Sequence, residues 1–423
     1  MEPPLNLKIE INLVAGGEPP AANQVMWRTV IAEETAQQCA RAFGEGLQAV
    51  VLTGSLARDE ATFQREGAFV RLHGDADYFL IFRSAAALPS SSSIDSLEKL
   101  VETRLAEHGV LAKVGLSPVK PHYLRHLPAE IATYELRSCG RIVWGDVSVL
   151  SLVPEFPASA ISREDAWRML CNRMIEQLEY VPDLSEHTTK LSPALHYATV
   201  KLYLDLATSY LVFAGAYEPT YRSREKRLRE LAGTEDATNG HAPFPLKAIS
   251  KLVTECTYWK LTGEESASDR RLEFWEDAIR YACLLWQWET IQMTADEGEL
   301  SISALWKRVA AKQTVTQRLR AWVSLLRRTG WYRSWRNWPR WFRLSFQATP
   351  RYLIYRVGAE LAFSLTDLVR HEGVPPGPDV DWNQLGCLIP VREAAAPVGG
   401  DAWKHLTQDT VSNYWRFLAH TRA

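Results

Sequence analysis

Cysteine is sparse in this sequence, and no two cysteines stand at a metal or redox spacing. The six present, Cys39, Cys139, Cys171, Cys256, Cys283 and Cys387, form no C-x-x-C pair and no dense framework. That argues against a structural zinc site and a disulfide scaffold, and it fits a reducing compartment. No apolar run approaches the ~18 residues of a membrane-spanning helix. The opening stretch MEPPLNLKIEINLVAGG has no basic segment followed by an apolar one, so no secretory leader is expected and the expected location is cytoplasmic. A dominant charge is also lacking: 48 basic residues against 50 acidic leave a net −2. Nothing global therefore draws the chain to nucleic acid or membrane. Internal repeats, low-complexity tracts, a Walker loop, a G-x-G-x-x-G fingerprint and a Ser-His-Asp or Cys-His pattern are absent too.

At 423 residues, two or three domains are expected. Leu5, Leu7, Ile9, Ile11 and Leu13 alternate with polar residues, the period of a strand. Residues 24–43 have helical spacing. LQAVVLTGS reads as a buried strand ending in Gly-Ser, followed by a short helix from about Leu56 and a loop at QREGAF. A strand is expected over 76–83, a helix at SIDSLEKLVETRLAEHG, a strand at VLAKVGLSPV, a helix at AEIATYELRSCG and a last strand at RIVWG. VPEFPAS reads as a linker. Beyond it, helical patterns dominate over 162–181, 192–215, 245–261, 268–294 and 301–329. The expected fold class is α+β: a mixed sheet with helices over residues 1–150, then a larger all-helical domain over 158–423.

The stretch GDADYFLIF, residues 74–82, sets two carboxylates one residue apart beside an apolar, aromatic strand. Strand side chains alternate, so Asp75 and Asp77 point the same way. Two like charges on one face repel unless a cation lies between them or both are wet. Some twenty residues earlier, Gly54 and Ser55 stand where a buried strand turns into a helix. Glycine lets a backbone approach a phosphate, and Ser55 is suited to cap the helix N-terminus, where anions are attracted. A phosphate cradle beside paired acids suggests a nucleoside triphosphate with Mg²⁺, which prefers carboxylate and phosphate oxygens.

The order TGSLARDEATF…GDADYFLIF resembles the signature of the nucleotidyltransferase superfamily that includes DNA polymerase beta and the antibiotic nucleotidyltransferases. TYELRSCGRIVWGD is also similar to a segment that follows the catalytic strands in small bacterial members. The resemblance covers residues 45–146, about a quarter of the chain. It implies that Gly54 and Ser55 bind the triphosphate and that Asp75 and Asp77 are catalytic, binding Mg²⁺ or Mn²⁺. The reaction implied is transfer of a nucleoside monophosphate from a triphosphate, expected to be ATP, to an unidentified acceptor. It further implies that Lys201, on the apolar helix SPALHYATVKLYLDLATSYLVFAG, reaches the triphosphate with help from Ser209; the alternative is a snorkelling surface lysine. Tyr221, Arg222 and Arg224 are candidate phosphate contacts, or else a solvated basic face. The sequence departs from the family in one respect. The family carries a third carboxylate on the next strand, where this chain has Lys113, Gly115 and Ser117 at alternate positions. The nearest downstream acids are Glu130 and Asp146, and an insertion around QREGAF lengthens the spacing. A degenerate, non-catalytic domain binding a nucleotide or a partner is therefore the alternative function.

Residues 300–359 contain thirteen Lys and Arg and no acid; since the whole chain is −2, the rest carries −15. Trp306, Trp322, Trp331, Trp335, Trp338 and Trp341 are interleaved. Such a tract suits an anionic membrane surface, nucleic acid, or an internal layer with buried tryptophans, the last being preferred. A peripheral membrane or nucleic-acid-associated role is accordingly the other alternative. His122 and His126 are spaced i, i+4 like metal ligands, but no third ligand accompanies them.

Overall fold

A computed structural model describes residues 20–181, 190–234, 242–263, 271–294, 301–329, 337–370, 381–392 and 402–418. The strand expected over residues 5–13 lies outside these, as do Arg333, Arg336, Trp331 and Trp335. The fold class is α+β, with the sheet in the N-terminal part and helices thereafter. The elements run α1 (Pro20–Phe43), β1 (Leu47–Leu52), α2 (Gly54–Ala57), β2 (Thr62–Glu66), β3 (Phe69–Phe82), α3 (Ser91–Glu107), β4 (Val110–Val119), α4 (Pro121–Arg125), α5 (Ile131–Cys139) and β5 (Arg141–Gly145).

The five strands are ordered β2-β3-β1-β5, with β4 on the other side of β3. Strand β3 is the spine. It pairs antiparallel with β2 over Phe69–His73 and with β1 over Tyr78–Phe82, and its other edge pairs in parallel with β4. Its even residues, among them Val70, Leu72, Ala76, Tyr78 and Leu80, pack against Ile31 of α1 and Leu97, Val101 and Leu105 of α3. On the opposite face Ile81 packs with Val51, Leu124, Leu136 and Val149. That second cover reaches only one end of the strand. The free edge of β4 is closed by α3, whose Glu98 and Glu102 accept from the Leu116 and Val114 amides at 2.8 and 3.1 Å.

Two expectations are corrected here. QREGAF is a hairpin, not a loop: β2 turns into β3 at Gly67, whose φ is +62°. The signal was weak because Gln64, Arg65, Glu66 and Phe69 are all exposed, leaving no alternation to read. Residues 301–329 are two helices, Ile302–Ala311 and Val315–Thr329, not one. A capping box divides them. The Gln317 side chain accepts from the Thr314 amide at 2.8 Å, and the Thr314 hydroxyl accepts from the Gln317 amide at 3.2 Å.

The helical part continues with α6 (Arg163–Leu178), α7 (Pro193–Phe213), α8 (Tyr221–Thr234), α9 (Leu246–Thr262), α10 (Leu272–Thr294), α11 (Ile302–Ala311) and α12 (Val315–Thr329). Helices Trp338–Ser345, Pro350–Arg370, Trp382–Gly386 and Ala402–Leu418 follow. Ser192 caps α7, accepting from the Leu195 amide at 3.2 Å, with Pro193 at the first helical position. From Leu195 to Phe213 every residue of α7 is buried except Tyr197 and Lys201, which are half-buried. A helix apolar on all sides must sit inside a bundle, and α6, α9 and α10 pack around it. No helix among the described residues is long and apolar enough to cross a membrane.

Inside this bundle Glu289 of α10 is fully buried. Its Oε1 accepts from the Ser209 hydroxyl at 2.5 Å, and Oε2 has no hydrogen-bond partner among the described residues. Burial pushes its pKa up to about 8, against an ordinary 4.5. The folded pKa is raised, so the stability contributed is fully present below about 4.5 and is lost as pH rises through about 8. A displacement of this size corresponds to about 5 kcal/mol at most. Glu289→Gln is expected to flatten the fall in Tm across that window, while costing about 1 kcal/mol in acid for an orphaned amide. Parallel Tm–pH profiles for the two proteins would refute the assignment.

Candidate functional site

Asp75 and Asp77 stand mid-strand on β3, not at its mouth, and both are exposed. They share the face of Phe79 and Ile81, as strand parity requires, just beyond the end of its apolar cover. Their position is where β3 changes antiparallel partner, from β2 up to His73 to β1 from Tyr78 onward. On the β4 side the register also shifts between Arg71 and Asp75, so Leu72, His73 and Gly74 oppose Ala112 alone. Gly74 takes φ +108° at this irregularity, a conformation that suits glycine. A cavity of about 470 Å³ opens there, lined by Arg71, His73, Asp75, Glu102 and Lys113 among others.

The Asp77 carboxylate is held between two glycines. A Cβ on Gly54 would come within 3.7 Å of Oδ2, and one on Gly115 within 2.6 Å of Oδ1. The Thr53 amide donates to the Asp77 carbonyl at 2.9 Å, tying the strand-to-helix turn to β3. Gly54 has φ +70°, so a side chain there is strained, although its Cβ would meet Asp77 only at ordinary contact distance. Thr53, not Ser55, is the N-cap residue of α2, and it makes no side-chain cap bond; Ser55 lies inside the turn. With four residues, α2 is too short to add a macrodipole of weight. Any cradle there would rest on backbone amides and on the room left by glycine.

The β3–β4 register sets Lys113 beside Asp75, Gly115 beside Asp77 and Ser117 beside Phe79. These are the positions where a third acid was missed in the sequence, and Gly115 has a use of its own, leaving space for Asp77. Gly115→Ala is expected to displace that carboxylate, because 2.6 Å is far inside contact distance. A crystal structure of the variant with Asp77 unmoved would contradict this. Neither downstream acid fills the gap. Glu130 accepts from Arg168 at 2.7 Å, and Asp146 binds Gln48 and the Ser148 amide at 3.0 and 2.8 Å. Among the described residues no three His, Cys, Asp or Glu converge as a metal site; the His122 and His126 rings are 4.1 Å apart without a third ligand.

The helical part supplies the facing wall. Tyr197, Lys201 and Asp205 recur every fourth residue, a polar stripe along α7. The Tyr197 hydroxyl donates to the His73 carbonyl at 3.4 Å and lies 3.8 Å from where a Gly74 Cβ would be. Lys260 of α9, buried, donates to that hydroxyl at 3.2 Å. Both lysine ammonium groups lie over the Tyr197 ring, Lys201 at 5.7 Å and Lys260 at 5.1 Å from its centroid. Burial, then the Lys201 and Arg58 charges, brings the Lys260 amine down to about 7. The Arg173 charge, then burial, lowers the Lys201 amine, while Glu176, Asp205 and Asp75 pull it up. Arg173 itself donates to Asp205 at 2.7 Å and pairs with Glu176.

Lys201 thus stands over Tyr197, within electrostatic reach of Asp75. Ser209 does not join it: it is fully buried and bonded to Glu289. Eight residues along a helix is about 12 Å and 80° of rotation, so the two side chains serve different places. The proposed phosphate contacts on α8 also resolve. Arg224 is buried, pairs with Glu135 and donates to Thr208 at 2.7 Å and the Glu218 carbonyl at 2.8 Å. The Tyr221 ring lies against the Arg58 and Arg224 guanidiniums, and only Arg222 is exposed. Glu60 accepts from the Tyr221 and Arg222 amides at 2.9 and 3.1 Å, so an acid from the sheet side caps α8. This network latches the helices over the sheet. Lys260 was missed because a lone lysine near a helix end, in TYWKLTG, is indistinguishable from a solvated one.

A larger cavity of about 590 Å³ lies between α6, α11, α12 and helix Pro350–Arg370 and shares no lining residue with the acid pair. No family model, no curated protein and no solved structure matches the chain.

Proposed function

We propose that the chain is a metal-dependent nucleotidyltransferase, using ATP or another nucleoside triphosphate. One observation carries this reading: the exposed carboxylates Asp75 and Asp77 share one sheet face, and Asp75 lies within electrostatic reach of Lys201, which with Lys260 lies over the Tyr197 ring. Burial and neighbouring cations disfavour the charged form of both amines, as the lowered Lys260 and Lys201 pKa values express. A polyanion with its cation would relieve both walls at once. The resemblance of Gly54-Ser55 and Asp75-x-Asp77 to nucleotidyltransferases supports the same reading.

Asp75 and Asp77 are suited to hold Mg²⁺ or Mn²⁺, which would neutralise charge on the transferring phosphoryl group. Lys201 and Lys260 would take phosphate oxygens and fix the triphosphate in line. Gly54 would keep side-chain bulk away from the phosphates and from Asp77. No carboxylate on β4 is available as general base, so the acceptor would arrive ionised or be activated by another group.

A second reading is favoured by Lys113 and Gly115 at the third-acid positions: a nucleotide-binding protein without turnover. Incubation with each labelled triphosphate and Mg²⁺ or Mn²⁺ separates the two. Transfer predicts pyrophosphate and labelled product or protein; the second reading predicts saturable binding without pyrophosphate. The absence of both would sink the proposal.

A further inference from the structure

The two helices on either side of residue 330 expose apolar side chains next to arginines. At ~100° per residue, Trp322 and Leu325 mark the buried side of α12; Val315, Leu319 and Val323 occupy the adjoining exposed sector, and Arg320 and Arg327 the sector beyond. Helix Trp338–Ser345 repeats the pattern. Trp341 and Leu344 are buried, Phe342 and the adjoining Phe346 are 66% and 67% exposed, and Arg343 is exposed beside them. The two phenylalanine rings meet edge-to-face at 5.0 Å. The helices lie side by side: the Trp322 and Trp341 rings are 6.0 Å apart, and Arg318 donates to the Phe346 carbonyl at 2.5 Å.

Five large apolar side chains exposed on two neighbouring helices are unusual on a soluble surface. Their setting is strongly basic, since residues 300–359 hold thirteen cations and no acid. Among the described residues Arg318 donates to the main-chain carbonyls of Gln313 and Phe346, and Arg340 to those of Gly386 and Ile389, and neither is hydrogen-bonded to a carboxylate.

We propose that α12 and helix Trp338–Ser345 form a docking face for an anionic lipid surface. The apolar sectors would enter the headgroup boundary while the flanking arginines meet lipid phosphates. Charge favours the encounter: residues 300–359 carry +13 and no acid, and Arg320, Arg327 and Arg343 are exposed beside the apolar sectors. Nucleic acid is the less favoured partner. Trp306, Trp322 and Trp341 are buried and their indole N–H groups donate to the Tyr352, Ala348 and Pro390 carbonyls at 2.8, 2.9 and 2.7 Å, so these rings offer no stacking platform. Exposed Val and Leu add nothing to phosphate binding.

The test is sedimentation of the full chain with phosphatidylcholine vesicles, with and without phosphatidylglycerol. Binding is expected only to the anionic vesicles and is expected to be reversed by salt. Phe342→Ser with Phe346→Ser, and separately Arg320→Glu with Arg343→Glu, should each reduce partitioning about tenfold. All four residues are exposed, so unchanged melting curves are expected. The proposal is overturned by equal binding to neutral vesicles, by no binding to either, by variants that partition like the parent, or by a DNA or RNA oligonucleotide that binds tightly while anionic vesicles do not.

Discussion

Asp77→Asn is expected to abolish turnover of Mg·ATP, by about a thousandfold, the range that one preorganised electrostatic partner commands. The substitution keeps the shape of the side chain between Gly54 and Gly115 and removes only its charge. A hard cation would then keep Asp75 as its one charged protein ligand, so Mg·ATP affinity should fall as well. The fold should not suffer. Asp75 and Asp77 are exposed like charges on one strand face, and losing one relieves repulsion. Expected together are an unchanged Tm, loss of pyrophosphate release and weakened binding by calorimetry. If Mg·ATP affinity is the same in the variant as in the parent, the acid pair is not the metal site. Asp75→Asn should behave alike, since both carboxylates are exposed on the same strand face.

Lys260→Met is expected to move stability and binding in opposite directions. The folded amine sits at about 7, well below its ordinary 10.5. A depressed folded pKa means that the stability contributed is present above about 10.5 and is lost as pH falls through about 7. Methionine carries no proton and nearly the same length, so it removes a penalty of about 5 kcal/mol at most. Against that stands the lost hydrogen bond to Tyr197, about 1 kcal/mol. Tm near neutral pH should therefore rise. Mg·ATP binding should weaken about tenfold or more, because a charge-assisted phosphate contact is gone. In the parent protein the bound phosphates would draw the amine back to its charged form. Binding should then take up a proton, and affinity should fall as pH rises through about 7; calorimetry in buffers of different ionisation enthalpy measures this directly. A destabilised Lys260→Met protein with unaltered affinity would mark Lys260 as structural only.

The sequence alone carried the local decisions. Strand parity sufficed to set Asp75 and Asp77 on one face, because side-chain alternation is a property of the strand and needs no partner. The apolar texture of LQAVVL and YFLIF marked the two central strands, and helical spacing over 192–215 marked α7. Thr314-x-x-Gln317, a capping box, is a local signal sufficient to divide residues 301–329, although the helical pattern on both sides reads as continuous. The absence of an acid at Lys113 and Gly115 was legible too, and the strand register only gave it an address.

Tertiary structure decided what depends on neighbours distant in sequence. Lys201 and Lys260 are 59 residues apart, and only the packing of α9 on α7 sets both over the Tyr197 ring. The Lys201 pKa is lowered by the Arg173 charge and then burial, and that of Lys260 by burial and then the Lys201 charge, quantities with no local signature. The same holds for Arg224, a basic residue in a basic helix that is captured by Glu135 of α5, and for Ser209, polar in sequence yet sealed against Glu289. In the basic tract, composition could not separate Trp322 and Trp341, which are buried, from Phe342 and Phe346, which are exposed. That separation follows from which side of each helix meets the core, and this in turn depends on how the helices dock.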